Sequence, residues 1–277
     1  MARGAEGAVP PVLEKPVADL AAWQYAAIAV LFVWSGFVRS GLGFGGAVLT
    51  LPFLLMVHNA PLVFLPLIAV HLLFFSSLTI GLAHWRSRRA GAGGEAAGGT
   101  VNRAFLRYAL PLMFIPKLIG VAGVITLPAD IVSGFIFALV SIYAVSYILD
   151  RPFQVRGGRL DPWLLMLGGY VSGTSLIAAP LVVPVAASRM PKEQVRDTLF
   201  VLWFLLVAVK LIAFVIGGVD LQWQHHLWLL PCAAAGHLLG LRFHAYTLRA
   251  ETKVFFRVLG VGLLAVSLAG LLRLAVA

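Results

Sequence analysis

Three cationic side chains lie inside apolar segments of this 277-residue chain, and no acidic residue lies there with them. They are Arg39, Lys117 and Lys210, whereas all 11 Asp and Glu residues lie in polar stretches or at segment ends. A lone charge at the centre of a membrane helix costs at least ~2.5–3.5 kcal/mol. The simplest resolution is a hydrated cavity in which a bound anion neutralises the cations. The alternatives are snorkelling of the lysines toward the membrane surface, and an interaction of Arg39 with helix-terminal carbonyl groups.

Glycines follow Arg39 at a density that is unusual for a membrane helix. The stretch Val38–Pro52 reads VRSGLGFGGAVLTLP, with four glycines within six positions. It predicts an unwound turn between two half-helices, where backbone N–H groups and the positive end of a helix dipole would hold an oxyanion. Close helix packing is the alternative for any single glycine. The residues predicted to bind the anion here are Arg39, Ser40, Gly41, Gly43, Gly45 and Gly46.

A second break is predicted in the other half of the chain. Residues 168–175 read GGYVSGTS, and Ala178-Ala179-Pro180 follows shortly after. The hydroxyl groups of Ser172, Thr174 and Ser175 would donate hydrogen bonds to the same anion. Together with the lysines, they extend the predicted binding site into the second half.

Two of the seven histidines, His71 and His237, lie in the middle of apolar segments. Either one would take up a proton during a reaction cycle or simply donate a hydrogen bond within the helix bundle. We favour the hydrogen bond for His71. We include His237 in the predicted anion site, because it lies opposite Lys117 in an internal alignment given below.

The composition indicates an all-α polytopic membrane protein. The chain is 61% hydrophobic and 12% charged, where soluble domains carry about 25% charge, and its mean hydropathy is +0.96. The net charge of +10 does not indicate nucleic acid as a partner, because the basic residues lie in short loops between apolar segments. The single cysteine, Cys232, excludes an internal disulfide and a cysteine metal site. We expect no metal and no cofactor. Residues 1–20 lack a signal-peptide pattern and are expected to form a loose tail.

The apolar segments fall into two halves with the same plan. The first half is predicted at residues 21–149, with a re-entrant hairpin at 21–57 and spans at 62–83, 108–127 and 131–149. The second is predicted at 163–277, after a cytoplasmic loop at 150–162, with a hairpin at 163–187 and spans at 198–216, 227–246 and 258–276.

The distribution of basic residues predicts the topology of these segments. Fifteen of the 21 Lys and Arg residues lie in four loops or, for Arg242, beside one, and the positive-inside rule assigns these loops to the cytoplasm. Each broken stretch must then enter and leave on the same side of the membrane. Because three spans follow each hairpin, the halves would have opposite orientations, which is the arrangement of two inverted repeats.

An internal alignment favours this repeat. Residues 110–120 and 230–240 share a leucine-proline pair, a further leucine and a final glycine at equal spacing. Lys117 lies opposite His237, and both segments are the second full span of their half. Accidental similarity between two apolar segments is the alternative explanation.

Enzyme chemistry finds little support in the sequence. An intramembrane aspartyl protease needs two aspartates in the middle of spans, and the chain has none there. A serine hydrolase would need Ser40 or Ser172 beside His71 or His237, and no nucleophile motif flanks either serine. We therefore expect no enzymatic activity. A non-transporting membrane scaffold or assembly factor and, less favoured, an intramembrane Ser/His hydrolase are kept as alternatives.

The glycine-rich stretch also resembles a known family. The run from Gly41 to Pro52, an apolar run and then Pro61 resemble the first signature of the TauE/SafE sulfite exporter family. The stretch from Ser172 to Pro180, followed by Met190-Pro191-Lys192-Glu193, is similar to its second signature. This chain departs at Ala178 and Ala179, where the family usually has glycines.

The resemblance implies a multi-pass transporter, mostly described as an exporter, for a small sulfur-containing or organic anion such as sulfite or a sulfonate. With the topology above, it predicts a substrate site near the membrane midplane between the two repeats. The expected location is the cell inner membrane. The expected partners are a small anionic substrate and the lipid bilayer, with a homodimer left open.

Overall fold

The helices of this protein follow the apolar segments of its sequence. A computed structural model describes residues 20–42, 46–89, 101–150, 158–247 and 252–276. Within these ranges the chain is all-α, with ten helices and no strand. Residues 1–19 of the predicted tail, Gly43, Gly45 and residues 151–157 of the predicted loop lie outside them. The helices are α1 Ala22–Leu42, α2 Leu51–Val57, α3 Pro61–Arg89, α4 Arg103–Thr126, α5 Ala129–Ile148, α6 Asp161–Ser175, α7 Ala179–Arg189, α8 Lys192–Ile216, α9 Trp223–Thr247 and α10 Thr252–Val276.

The described helices give the chain its membrane character. Five helices, namely α3, α4, α5, α8 and α10, contain a segment that is long and apolar enough to cross a bilayer. The predicted span 227–246 lies within α9, which is not among the five. The fold is therefore that of an all-α polytopic membrane protein.

Helices α1 and α2 form one broken pair, and α6 and α7 form another. In each pair a side-chain hydrogen bond joins the start of the first helix to the end of the second. In the first pair, the Gln24 side-chain amide at the start of α1 donates to the Val57 carbonyl at the end of α2, at 2.9 Å. In the second pair, Arg189 Nε at the end of α7 donates to a carboxylate oxygen of Asp161, the first residue of α6, at 2.6 Å. In both pairs the entering and leaving ends of the chain lie side by side.

The broken helices pack against long helices of the other half of the chain. Helix α1 packs along α9, α6 packs along α4, and α5 packs along α10. Glycines allow the first two crossings to be very close, since a Cβ on Gly236 would lie 1.8 Å from the Val33 carbonyl oxygen and one on Gly120 would lie 2.4 Å from that of Tyr170. Small residues at crossings of this kind let helix backbones approach in membranes.

The two crossings use matching positions. In the internal alignment of residues 110–120 with 230–240, Gly120 pairs with Gly240, and these two glycines contact the backbone nitrogens of Thr174 and Gly41 respectively. Further contacts correspond in the same alignment, one and two turns away. Gly169 approaches the Met113 carbonyl, as Gly36 approaches that of Ala233. Gly173 approaches the Lys117 carbonyl, and Ser40 contacts the His237 side chain at the matching position. The packing of α6 on α4 thus repeats that of α1 on α9.

Candidate functional site

The first break follows the residue that the sequence singled out. Helix α1 ends at Leu42, three residues after Arg39, and the chain returns alongside it through turns at residues 46–50. The indole nitrogen of Trp34 donates to the Leu49 carbonyl at 3.1 Å and holds this return segment against α1. A Cβ on Gly46 would lie 3.3 Å from the Arg39 Cβ, so the close approach here favours a residue without a side chain.

The second break is sharper. Helix α6 ends at Ser175, and Leu176 adopts a left-handed conformation with φ of 61° before α7 begins at Ala179. This conformation costs a non-glycine residue roughly 1–2 kcal/mol. Pro180, in the first turn of α7, has no N–H group to leave unpaired there. A strained turn and a new helix start therefore face the end of α6.

A small cavity lies between the two breaks. Its volume is about 70 Å³, and about 10–15 Å³ of such space accommodates one water. Side chains from α1, α3, α6 and α8 and backbone from both turns surround it. The lining residues are Ser35, Arg39, Gly46, Ala47, Val48, Ile68, Leu72, Ser76, Ser172, Leu176, Ala179, Phe200, Trp203 and Val207. The cavity is thus mainly apolar, with one cation and three hydroxyl groups.

Arg39 supplies the positive charge of this cavity. Its guanidinium carbon lies 4.4 Å from the centre of the Phe75 ring, a cation–π contact. Its Nη2 atom is buried and has no hydrogen-bond partner among the described residues. A buried charged donor without an acceptor is costly. An anion in the cavity would remove that cost.

The buried lysines make a different set of contacts. Lys117 Nζ donates to the Ser172 hydroxyl at 2.8 Å and to the Ser172 carbonyl at 3.3 Å. Lys210 Nζ donates to the carbonyls of Gly173 at 2.5 Å and Thr174 at 3.4 Å. Both side chains are fully buried. These carbonyls belong to the last turn of α6, where four carbonyl groups have no partner within the helix. The carbonyl role considered above for Arg39 is thus seen for the two lysines, and neither lines the cavity.

The hydroxyl groups predicted for the site divide in the same way. Ser172 lines the cavity. The hydroxyls of Thr174 and Ser175 both donate to the Val171 carbonyl in their own helix, at 3.1 and 2.9 Å, and are not part of the lining. Among the predicted glycines, Gly46 lines the cavity and Gly41 lies buried in α1 against α9.

Ser40 and His237 contact each other directly, through the serine hydroxyl and the histidine Nδ1 atom. A Ser–His contact is the first requirement of a hydrolase. Neither residue lines the cavity. The described part of the chain also contains no ion pair or hydrogen bond that joins His237 to a carboxylate. The contact lies at the crossing of α1 with α9.

Several residues of the cavity were not predicted from the sequence. Ser35 precedes Arg39 by four positions and therefore lies on the same face of α1, which was a usable signal. Ser76 and Trp203 lie in ordinary apolar spans, and no spacing rule connects them to Arg39. Among the described residues, no group of three or more His, Cys, Asp or Glu residues could hold a metal ion.

Comparison with known proteins identifies the family of this chain. A family model described as "Sulfite exporter TauE/SafE" matches residues 27–270 of the chain, which include both breaks and all cavity residues. Comparisons with curated proteins and with solved structures found no match. The match to the family model covers most of the chain, so the protein belongs to the sulfite exporter TauE/SafE family of membrane transporters.

Proposed function

We propose that this protein exports a small sulfur-containing or organic oxyanion, such as sulfite or a sulfonate, and binds it at Arg39 in the cavity between the two helix breaks. The observation that carries the proposal is the buried Nη2 atom of Arg39, which has no partner among the described residues and belongs to a cavity-lining side chain. A guanidinium is planar and matches two oxygens of an oxyanion at once.

The dimensions and walls of the cavity favour a small anion. A volume of about 70 Å³ is well below the 300–1,000 Å³ or so of pockets for drug-sized ligands. The Ser172, Ser35 and Ser76 hydroxyls would bind oxygens. Leu72 and Trp203 form apolar walls that would suit the carbon portion of a sulfonate.

The helix ends around the cavity favour negative charge as well. Ala179, the first residue of α7, lines the cavity, and a helix N-terminus carries roughly +0.5 of an elementary charge. The C-terminus of α6 would carry the opposite charge and repel an anion. Lys117 and Lys210 bind its carbonyls and would reverse that effect. In this proposal the two lysines neutralise the negative end of α6 and do not themselves contact the anion.

The predicted substrate-binding role of Lys117, Lys210, Thr174, Ser175, Ser40 and His237 therefore becomes an indirect one, in which they hold the breaks in place. Arg39, Gly46 and Ser172 remain as direct contacts. This division is part of the proposal. It rests on the hydrogen bonds of the described side chains.

We further infer that the two halves are inverted repeats and that alternating access exposes the cavity to each side in turn. Support comes from the matched crossings of α1 on α9 and α6 on α4. We propose that the protein lies in the inner membrane. There, the membrane potential favours the exit of each negative charge by about 2.3 kcal/mol per 100 mV. The candidate site lies within one chain, so a homodimer, which stays a prediction, is not needed to complete it.

Efflux from proteoliposomes tests the proposal. Vesicles loaded with sulfite or methanesulfonate should release it when the parent protein is present. Arg39→Gln should reduce the transport efficiency at least about 30-fold, which corresponds to the loss of ~2 kcal/mol from charged hydrogen bonds. Arg242→Gln, the same change at an exposed arginine in α9, is the matched control and should leave the efflux unchanged. A scaffold protein would give no efflux for any anion.

A further inference from the structure

Two buried histidines lie against each other beside the anion cavity. His71 in α3 and His226 in the first turn of α9 are 2% and 4% exposed. Their ring centroids are 5.0 Å apart and the ring planes make an angle of 36°. Ile68 and Leu72, which flank His71 on α3, both line the cavity. The sequence assigned no chemistry to His226, and for His71 it favoured a structural hydrogen bond over proton uptake.

The hydrogen bonds of these rings fix which nitrogen carries hydrogen. His71 Nδ1 lies 2.7 Å from the Leu67 carbonyl oxygen, and His226 Nε2 lies 3.0 Å from that of Leu221. A carbonyl oxygen only accepts, so each of these nitrogens must donate an N–H. The other nitrogen of each neutral ring is then an acceptor with a lone pair.

Both of these acceptors are left without a donor. His71 Nε2 and His226 Nδ1 are buried and accept no hydrogen bond from the described residues. Each unsatisfied buried acceptor costs about 1–3 kcal/mol, and the same helix pair places two of them on adjacent rings. A single proton converts one of the acceptors into a donor. Because the ring centroids are only 5.0 Å apart, a charge on one ring opposes protonation of the other.

We propose that His71 and His226 together bind one proton, and that its binding is linked to binding of the anion at Arg39. The linkage rests on the proposed function, whereas the proton site itself does not. The class of ligand is the proton, and its binding makes the protein a proton-coupled anion transporter. The site is separate from the groups that touch the anion.

The surroundings of the pair account for the linkage. The guanidinium of Arg39 in α1 acts electrostatically on His71, and the ring of Phe32 in the same helix covers His71 at 5.0 Å. While the guanidinium lacks an anion, its charge opposes a second cation nearby. A bound anion neutralises that charge and makes protonation of the pair easier. By reciprocity, protonation tightens anion binding by the same factor.

The remaining neighbours of the pair lead toward the aqueous end of α9. Besides His71, His225 acts electrostatically on His226, and it lies next to it in α9. Asp220 in the preceding link acts on His225 in turn. The half-buried His225 accepts a hydrogen bond from the Trp228 indole nitrogen at 3.2 Å. The Trp223 ring lies 5.5 Å from His226 and is itself 64% exposed. His226 thus lies in the first turn of α9, close to the exposed end of that helix.

Proton flux measured alongside anion flux tests the proposal. Proteoliposomes would contain a trapped pH-sensitive dye, and methanesulfonate would serve as the anion because it does not titrate near neutral pH. The parent should move about one proton per anion. His71→Gln and His226→Gln should each continue to move the anion while proton movement falls to the background of empty vesicles. His58→Gln, a histidine in the link between α2 and α3, is the control and should keep the proton flux. Anion flux without proton flux in the parent, or unchanged proton flux in both variants, would overturn the proposal.

A second measurement works without any transport. Nitrogen NMR of histidine-labelled protein in detergent, titrated from about pH 4 to about pH 8, should show the two rings taking up one proton as a coupled pair. His226→Gln and Arg39→Gln should each change the titration of His71, because each removes a neighbouring group that carries charge. Two rings that titrate independently, or that stay neutral over the whole range, refute the proton site. Absence of anion flux in the parent refutes the proposed function instead.

Discussion

The Arg39 guanidinium is held by an aromatic ring and still has one unsatisfied hydrogen-bond donor. One face of its guanidinium rests on Phe75, which holds the group in place, and its Nη2 atom has no partner among the described residues. A lysine at this position would keep the charge and lose the planar fork. We expect Arg39→Lys to raise the KM for sulfite about 10-fold, a loss of ~1.4 kcal/mol, with a smaller effect on the maximal rate. Initial efflux rates over a range of substrate concentrations check this, and an unchanged KM would contradict a direct contact.

The two buried lysines should behave as positioning residues. Lys210→Met leaves the carbonyls of Gly173 and Thr174 without their donor. We expect the free energy of unfolding to fall by about 1–3 kcal/mol and the maximal rate to fall for every anion alike. Lys192→Met, at an exposed position in the first turn of α8, is the matched control and should cost little.

Thermal unfolding and efflux kinetics distinguish the two roles for Lys210. A substrate contact would change the KM in a way that depends on the charge of the anion and would leave thermal stability close to that of the parent. That outcome would return Lys210 to the group of direct contacts that the sequence predicted.

Among the helices, the clearest prediction concerns the ion pair that joins the end of α7 to the start of α6. Arg189→Met leaves the Asp161 carboxylate, which is fully buried, without its ion-pair partner. Breaking a buried pair costs about 3–5 kcal/mol, and we expect the lower end because the Arg189 side chain is 37% exposed. Arg159→Met, at an exposed position just before α6, is the control. Adding Asp161→Asn to Arg189→Met should recover part of the lost stability, and no recovery would exclude an unpaired charge as the cause.

The close crossings of α1 with α9 and of α4 with α6 predict an equally specific response. Gly236→Ala would place a Cβ 1.8 Å from the Val33 carbonyl oxygen, so the two helices must move apart. Overpacking typically costs about 1–3 kcal/mol, and we expect the upper part of this range because the clash is with backbone. Gly262→Ala, where nothing lies within 4 Å, should be neutral or stabilising by up to about 1 kcal/mol. Thermal unfolding in detergent compares the two, and equal effects would contradict the crossing.

At the scale of the whole molecule, the sequence predicted the features that depend on local composition. The membrane class follows from hydropathy, and the break after Arg39 follows from four glycines within six residues. The second break was predicted from the stretch 168–175 and the following Ala178-Ala179-Pro180, but residues 168–175 are helical and the break comes after them, at Leu176. Gly169 and Gly173 instead allow α6 to pack closely on α4. These features depend on the hydrophobicity and the backbone flexibility of residues that are close in the sequence, so they can be predicted from short stretches of it.

The features that depend on how distant helices cross could not be predicted in the same way. In the sequence, Arg39, Lys117 and Lys210 are three equivalent unpaired cations. Their hydrogen bonds separate them, because the crossing of α4 on α6 brings Lys117 to the end of α6 while the α1 break leaves Arg39 facing the cavity. The contact between His71 and His226 joins residues far apart in the chain, and no spacing rule relates them.

The central claim is that an oxyanion binds at Arg39 between the two breaks. Selenite resembles sulfite, and its selenium atom can be located by anomalous scattering in crystals of the protein. We predict one strong anomalous peak inside the cavity, with an oxygen about 2.7–2.9 Å from Arg39 Nη2, and no such peak in crystals of Arg39→Gln. A peak elsewhere in the chain, or an unchanged peak in the variant, would contradict the account.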